Sequence, residues 1–182
     1  MRIAGLILAA GSSRRFGSPK QLAMIGERTM LETVIELARE AGLDPIVAVV
    51  APGIAVAPDV VPIVNTQPEL GLSRSLRMGF EAMPAEADGA LILLGDQPTL
   101  AVETVRAVLE AASIGRPVVA ARAEGRIGPP VLLMRDAFGL AEAAIGDEGL
   151  RSILALDPDR VTPVEVDAHA PDVDTPADLH GG

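Results

Sequence analysis

Three features of the chain predict an α/β domain, a Rossmann-like three-layer sandwich with a mostly parallel sheet. Its strands read as short, nearly continuous runs of Ile, Val and Leu rather than as alternating apolar and polar residues. That is the pattern of strands buried on both faces. Segments with apolar residues at helical spacing fall between these runs, as crossovers between parallel strands require. A length of 182 residues suits one domain able to bury its own core, so residues 1–182 are expected to form a single unit ending in a disordered 180–182 tail.

The elements follow in order. Residues 2–9 carry the first apolar run. A helix is expected over 29–41, with Leu31, Val34, Ile35 and Ala38 on one face and Gly42 as its stop. Pro45–Val50 gives a second strand and Val60–Val64 a third, whose Pro62 marks an edge or a strand start. A helix over 73–83 precedes Ala90–Leu94, the most apolar run and the expected central strand. Then come a helix at 101–114, strands at 117–121 and 130–134, helices at 136–144 and 149–155, and a last strand at 161–166.

Composition narrows the function. The formal charge of −10 opposes binding to a nucleic-acid backbone, and three Phe with no Trp or Tyr leave no platform for base stacking. No apolar run is long enough to cross a bilayer. Met1-Arg2 leads directly into a strand, so no signal peptide is expected, and there is no cysteine. The expected setting is therefore a reducing cytoplasm. His169 and His180 match no motif or zinc spacing and are expected at the surface.

Against this acidic background the first strand empties into a small-residue loop, Ala9-Ala10-Gly11-Ser12-Ser13, followed by Arg14, Arg15 and Lys20. Such a loop can bring backbone N–H groups and fixed positive charge to a polyphosphate; a glycine-rich turn with solvated arginines is the plain alternative. Neither G-x-x-x-x-G-K-[ST] nor G-x-G-x-x-G is present. Asp96, directly after the central run in Gly95-Asp96-Gln97-Pro98, sits where a carboxylate can hold a divalent cation or simply close a turn. Ser73 alone could cap the helix after Gly71-Leu72. Gly125–Pro130 reads as a turn, Gly146–Arg151 as a helix cap, and Asp174-Thr175-Pro176 as a capped helix start.

From Leu8 to Lys20 every position of L-A-[AG]-G-x-[SA]-x-R-[MF]-G-x-x-K is present, with Gln21-Leu22 following. On this signature the chain resembles nucleotidyltransferases that activate small phosphorylated molecules. With Gly95-Asp96-Gln97-Pro98, the Asn65–Gly79 stretch, Gly125–Leu132, Gly146–Arg151 and Asp174-Thr175-Pro176, it is similar to the molybdenum cofactor cytidylyltransferase family over nearly its whole length.

The resemblance implies transfer of CMP from CTP to the terminal phosphate of a molybdopterin-type cofactor, with release of pyrophosphate. It implies Arg15, Lys20 and Asp96 as catalytic residues and Mg²⁺ (or Mn²⁺) held by Asp96 and Asp174. Leu8, Ala9, Ala10, Gly11, Ser12, Ser13, Arg15, Lys20, Asn65, Gly71, Ser73 and Ser75 would bind the nucleotide. Gln97, Gly128, Pro130, Asp147 and Arg151 would border the acceptor. Pro129 departs from the polar residue common at its place in the family. A molybdenum hydroxylase apoenzyme is an implied partner. Rival readings are guanylyl transfer to the same cofactor, a sugar- or polyol-phosphate acceptor, and a non-catalytic protein that delivers cofactor.

Overall fold

The computed structural model describes residues 1–11, 13, 16–112, 116–146, 149, 154 and 158–180. Its centre is a seven-stranded sheet in the order β5-β4-β1-β6-β8-β7-β9. The strands are β1 (Ile3–Ala9), β4 (Ile46–Val50), β5 (Val60–Val64), β6 (Gly89–Leu94), β7 (Val118–Ala123), β8 (Arg126–Met134) and β9 (Val161–Glu165). All neighbours run parallel except β8, which lies antiparallel to both β6 and β7. Strands β2 (Met24–Ile25) and β3 (Arg28–Thr29), not expected from the sequence, form a small hairpin apart from the sheet.

The apolar runs are continuous because both faces are covered. On β1, Leu6 and Leu8 join one cluster with Leu76 and Phe80 of helix α2 (Leu72–Glu81). Ile7 and Ala9 join the other, with Leu31, Val34 and Ile35 of α1 (Met30–Glu40) and Val105 and Val108 of α3 (Val102–Ala112). Alternation along the strand thus serves two cores instead of one core and solvent. Helix α1 begins at a capping box: the Thr29 hydroxyl accepts from Glu32 N, and the Glu32 carboxylate accepts from Thr29 N.

One expected helix differs. The 136–144 segment is a 3₁₀ run over Arg135–Ala143 rather than an α-helix, and the 149–155 helix falls mainly on residues outside those described. The turn expected over Gly125–Pro130 is confined to Glu124-Gly125 (φ 50° and 75°), because β8 starts at Arg126. Its register slips so that Ala120 faces Val131 while Ala121 faces Gly128. Pro129 and Pro130, which cannot donate to a ladder, are left out of the pairing with β7.

The strand order fixes where a ligand can sit. From β1 the chain builds outward through β4 and β5, then crosses to the other side of β1 to place β6. This reversal opens a crevice beyond the carboxyl ends of β1 and β6. The two ends are level, with Leu8 opposite Leu94 and Gly95 N bonded to Leu8 O at 2.9 Å.

Candidate active site

A crevice of about 530 Å³ lies at those strand ends, within the usual size of small-molecule sites. One wall is the loop after β1 (Leu8, Ala9, Ala10, Gly11, Ser13) with Lys20 and Gln21. Pro68, Glu69, Gly71, Leu72 and Ser75 form a second, and Leu94, Gly95, Asp96, Asp172 and Asp174 a third.

The loop after β1 is tied to itself. Ser13 holds the left-handed conformation (φ 50°), and its Oγ accepts from Lys20 N at 3.0 Å. Gln21 Nε2 donates to Gly11 O at 3.0 Å. These bonds fix the Lys20 backbone beside the strand end. Ser12, Arg14 and Arg15 lie outside the described residues, as do Asp147 and Arg151.

Lys20 sits at the centre of the charges of the site. Its Nζ donates to Asp96 Oδ2 at 2.9 Å, to Val173 O at 2.9 Å and to Asp174 Oδ1 at 3.1 Å, and its side chain is 11 % exposed. Burial works against the ammonium, but Asp96 and then Asp174 outweigh it and hold the Lys20 pKa above its ordinary value. Lys20 is therefore cationic at neutral pH. It is also the only lysine in the sequence, beside fourteen arginines.

Asp174 stands just before the last 3₁₀ turn, Pro176–His180. Asp178 Oδ2 accepts from Asp174 N, Thr175 N and the Thr175 hydroxyl, which fixes the backbone there, and the Asp174 carboxylate accepts from Lys20. The segment carrying it crosses the crevice end of the sheet. Val166 N bonds Arg122 O, His169 Nε2 lies 2.9 Å from Arg126 O, and Val173 N bonds Asp96 O. His169 is thus half-buried against Gly128 rather than a surface residue.

Asp172 was not marked by the sequence motifs. It stands two residues before Asp174 on an extended segment, so both carboxylates face the crevice while Val173 between them is buried. Burial pushes the Asp172 carboxyl above its usual range. The Gln97 amide opposes this, and the charges of Asp96 and Asp174 reinforce it. Gln97 is 5 % exposed; its Nε2 donates to Asp172 Oδ1 at 2.9 Å, and its Oε1 has no partner among the described residues.

The residues expected at the pyrimidine divide into lining and support. Gly71 and Ser75 line the crevice. Asn65 and Ser73 are buried and do not. Asn65 Nδ2 donates to Ser75 Oγ at 2.9 Å, while its Oδ1 accepts from Gln67 N at 3.0 Å and Arg74 Nε at 3.1 Å. Ser73 is not the helix cap. Gly71 caps α2 at φ 91°, a conformation glycine reaches without strain, and no side chain bonds the first turn. Gly128 and Pro130, expected at the acceptor, lie along β8, and like the buried Gln97 they are not in the crevice lining.

The described lining holds four carboxylates (Glu69, Asp96, Asp172, Asp174) against one ammonium. A polyphosphate needs added positive charge to enter such a place. Asp96 and Asp174 already converge on a single cation through oxygen ligands, which suits Mg²⁺ or Mn²⁺ held by one or two carboxylates plus phosphate. Among the described residues no group of three or more His, Cys, Asp or Glu could hold a metal alone.

Gly95 fixes Asp96 against β1. A Cβ there would lie 2.7 Å from Ala9 Cβ and 3.2 Å from Ala9 Cα, and backbone cannot yield as a side-chain tip does. Gly95→Ala is expected to lose about 1–3 kcal/mol of stability. It should also lose about 10²-fold in kcat/KM, since a shift near 1 Å at a reacting centre suffices. Urea unfolding and kinetics on one preparation would check both; normal activity would mean that Asp96 tolerates displacement.

Comparison with known proteins agrees with this architecture. The crystal structure of Rv0371c from Mycobacterium tuberculosis H37Rv is 28 % identical with a TM-score of 0.85, covering 100 % of this chain and 96 % of that one. A manganese complex of the same protein is 26 % identical with a TM-score of 0.83, covering 100 % and 97 %. The bifunctional protein GlmU of Azorhizobium caulinodans is 34 % identical over 110 residues, which is 55 % of this chain and 24 % of that protein. The chain therefore spans about a quarter of the length of such curated relatives. The MobA-like NTP transferase domain matches residues 5–164. Because that match takes in both the cationic loop and the Asp96 turn, the chain belongs to the MobA-like NTP transferase domain family.

Proposed function

We propose that the chain transfers CMP from CTP to the terminal phosphate of a molybdopterin-type cofactor. The observation that carries this reading is the cation-binding pair Asp96 and Asp174 beside the loop after β1, in a crevice of nucleotide size. An acceptor phosphate oxygen attacks the α-phosphorus of CTP in line, the bond to the β-phosphate bridging oxygen breaks, and pyrophosphate leaves. The attacking oxygen is already anionic, so no general base is needed. Positioning and charge neutralisation do the work.

Backbone N–H groups of the loop after β1, with Lys20 and Arg15, are assigned to the triphosphate and its departing charge. Asp96 and Asp174 would hold Mg²⁺ or Mn²⁺, which would supply charge stabilisation at the phosphates; the manganese complex of the M. tuberculosis protein supports this choice. Gly71 and Ser75 are assigned to the base, with Asn65 orienting the Ser75 hydroxyl. Gln97 is assigned to the acceptor side, because its Nε2 holds the Asp172 carboxylate that lines the crevice. Pyrophosphate release with CTP, GTP and UTP, each tested against extracted cofactor and against sugar and polyol phosphates, tests the reading. Turnover only with a sugar phosphate would overturn the acceptor and keep the chemistry.

Preference for CTP over GTP is expected to depend partly on Ala10, a buried residue of the lining. Its methyl occupies space that the second ring of a purine would need. One methyl contributes about 1–3 kcal/mol of discrimination, so Ala10→Gly should gain some GTP use with CTP still preferred. A full switch should need changes in Gly71–Ser75 as well. An unchanged ratio of kcat/KM values would remove Ala10 from the account, and a wild-type preference for GTP would remove the cytidylyl assignment.

A further inference from the structure

We infer that Lys20 is the resident counter-ion of the acidic pair and exchanges places with the divalent cation, so that metal binding releases the chain's only lysine toward the nucleotide. This rests on the reading that Asp96 and Asp174 hold a metal. An ammonium has three protons, and all three are taken, by Asp96 Oδ2, Val173 O and Asp174 Oδ1. While seated there, Lys20 has no proton left for a phosphate oxygen. A divalent cation joining it between the same carboxylates would be repelled by the ammonium, which favours exchange over joint occupancy.

The exchange is mechanically simple. Ser13 Oγ and the neighbouring 3₁₀ turn, Lys20–Leu22, hold the Lys20 backbone, so only the four-carbon stem has to swing. The open direction is the crevice that Lys20 lines beside Ala9, Ala10 and Ser13. A compact point charge on a flexible stem suits such a move, whereas a planar guanidinium pairing in fixed fork geometry does not. This gives a reason for lysine here in a chain that otherwise uses arginine. The arrangement couples the two charges: the acidic pair is never left bare, and the phosphate-directed cation is presented only once the metal is in place.

Mn²⁺ binding to the full chain without nucleotide, followed by electron paramagnetic resonance, tests the exchange. Lys20→Met and Lys20→Gln are expected to bind Mn²⁺ at least about tenfold more tightly than wild type, since the competing charge is gone. Adding Asp96→Asn should abolish the gain. If the methionine variant does not fold, the glutamine variant and the wild type decide. In wild type, saturating Mn²⁺ should raise amine acylation of Lys20 several-fold relative to the N-terminal amine, read by peptide mass spectrometry. Unchanged or weaker Mn²⁺ binding in both Lys20 variants, or unchanged acylation, would overturn the exchange while Asp96-dependent binding kept the metal site. Mn²⁺ binding indifferent to Asp96 in every protein, with and without CTP, would overturn the metal site and the exchange together.

Discussion

Asp96→Asn is expected to fold normally and to lose about 10²–10³-fold in turnover, the scale set by removing one strong electrostatic contact from a transition state. The two halves of that expectation have separate causes. The Asp96 side chain is 27 % exposed at the end of β6, outside the two apolar clusters. The amide of asparagine can still accept from Lys20, and Asp174 remains 3.1 Å from the ammonium. Stability should therefore fall by only about 1 kcal/mol. Turnover falls because an amide oxygen cannot replace the charge of a carboxylate on a divalent cation. Circular dichroism with a urea melt, beside pyrophosphate release at saturating Mg²⁺, measures both. Near-normal activity in a well-folded protein would end the assignment of Asp96 to the metal.

Asn65→Ala is expected to lose about 2–4 kcal/mol of stability and to raise the KM for nucleotide. Asn65 is fully buried between the end of β5 and α2, and each of its polar side-chain atoms is bonded. Alanine removes three hydrogen bonds and leaves the Gln67 N–H and the buried Ser75 hydroxyl seeking partners, at about 1–3 kcal/mol for each group left unsatisfied. Arg74 can turn to water and adds little. Asn65→Asp separates structure from recognition. It keeps an acceptor for Gln67 and Arg74 but forces the Ser75 hydroxyl to donate inward. Its melt should stay closer to wild type while nucleotide KM still rises. An aspartate variant with wild-type KM would mean that the orientation of the Ser75 hydroxyl does not matter to binding.

The fold was legible because most strand and helix runs carry their own signals. The double-faced apolar strand at β1, the helical spacing of Leu31, Val34 and Ile35, and the edge proline in β5 each need only local sequence. Where local and tertiary demands differ, the sequence misleads. Gly125–Pro130 has turn composition, yet the N-terminal part of β8 runs as a strand because a bulge takes both prolines out of the ladder. The crevice lining was largely legible too, since Leu8–Gly11, Ser13, Lys20, Gly71, Ser75, Asp96 and Asp174 meet there.

What the sequence could not reveal is which partner each charge takes. Lys20 meets Asp96 and Asp174 across separations of 76 and 154 residues, and no local spacing records such a contact. Asp172 could have been found by alternation, as its carboxylate and that of Asp174 lie two apart around an apolar Val173. Asp178 shows the opposite case: its bonds to the Asp174 and Thr175 N–H groups are local, four and three residues away.

Both outer strands of the sheet carry a proline at their third residue, Pro62 in β5 and Pro163 in β9. Proline offers no N–H to an incoming strand, and its ring interrupts the flat row of amide groups that such a strand would copy. The exposed Val61 and Val64 make the β5 border the more adhesive of the two, and that is where the interruption matters most. The seven strands therefore end in two self-limiting borders, a safeguard against stacking edge to edge into ordered aggregates at high protein concentration.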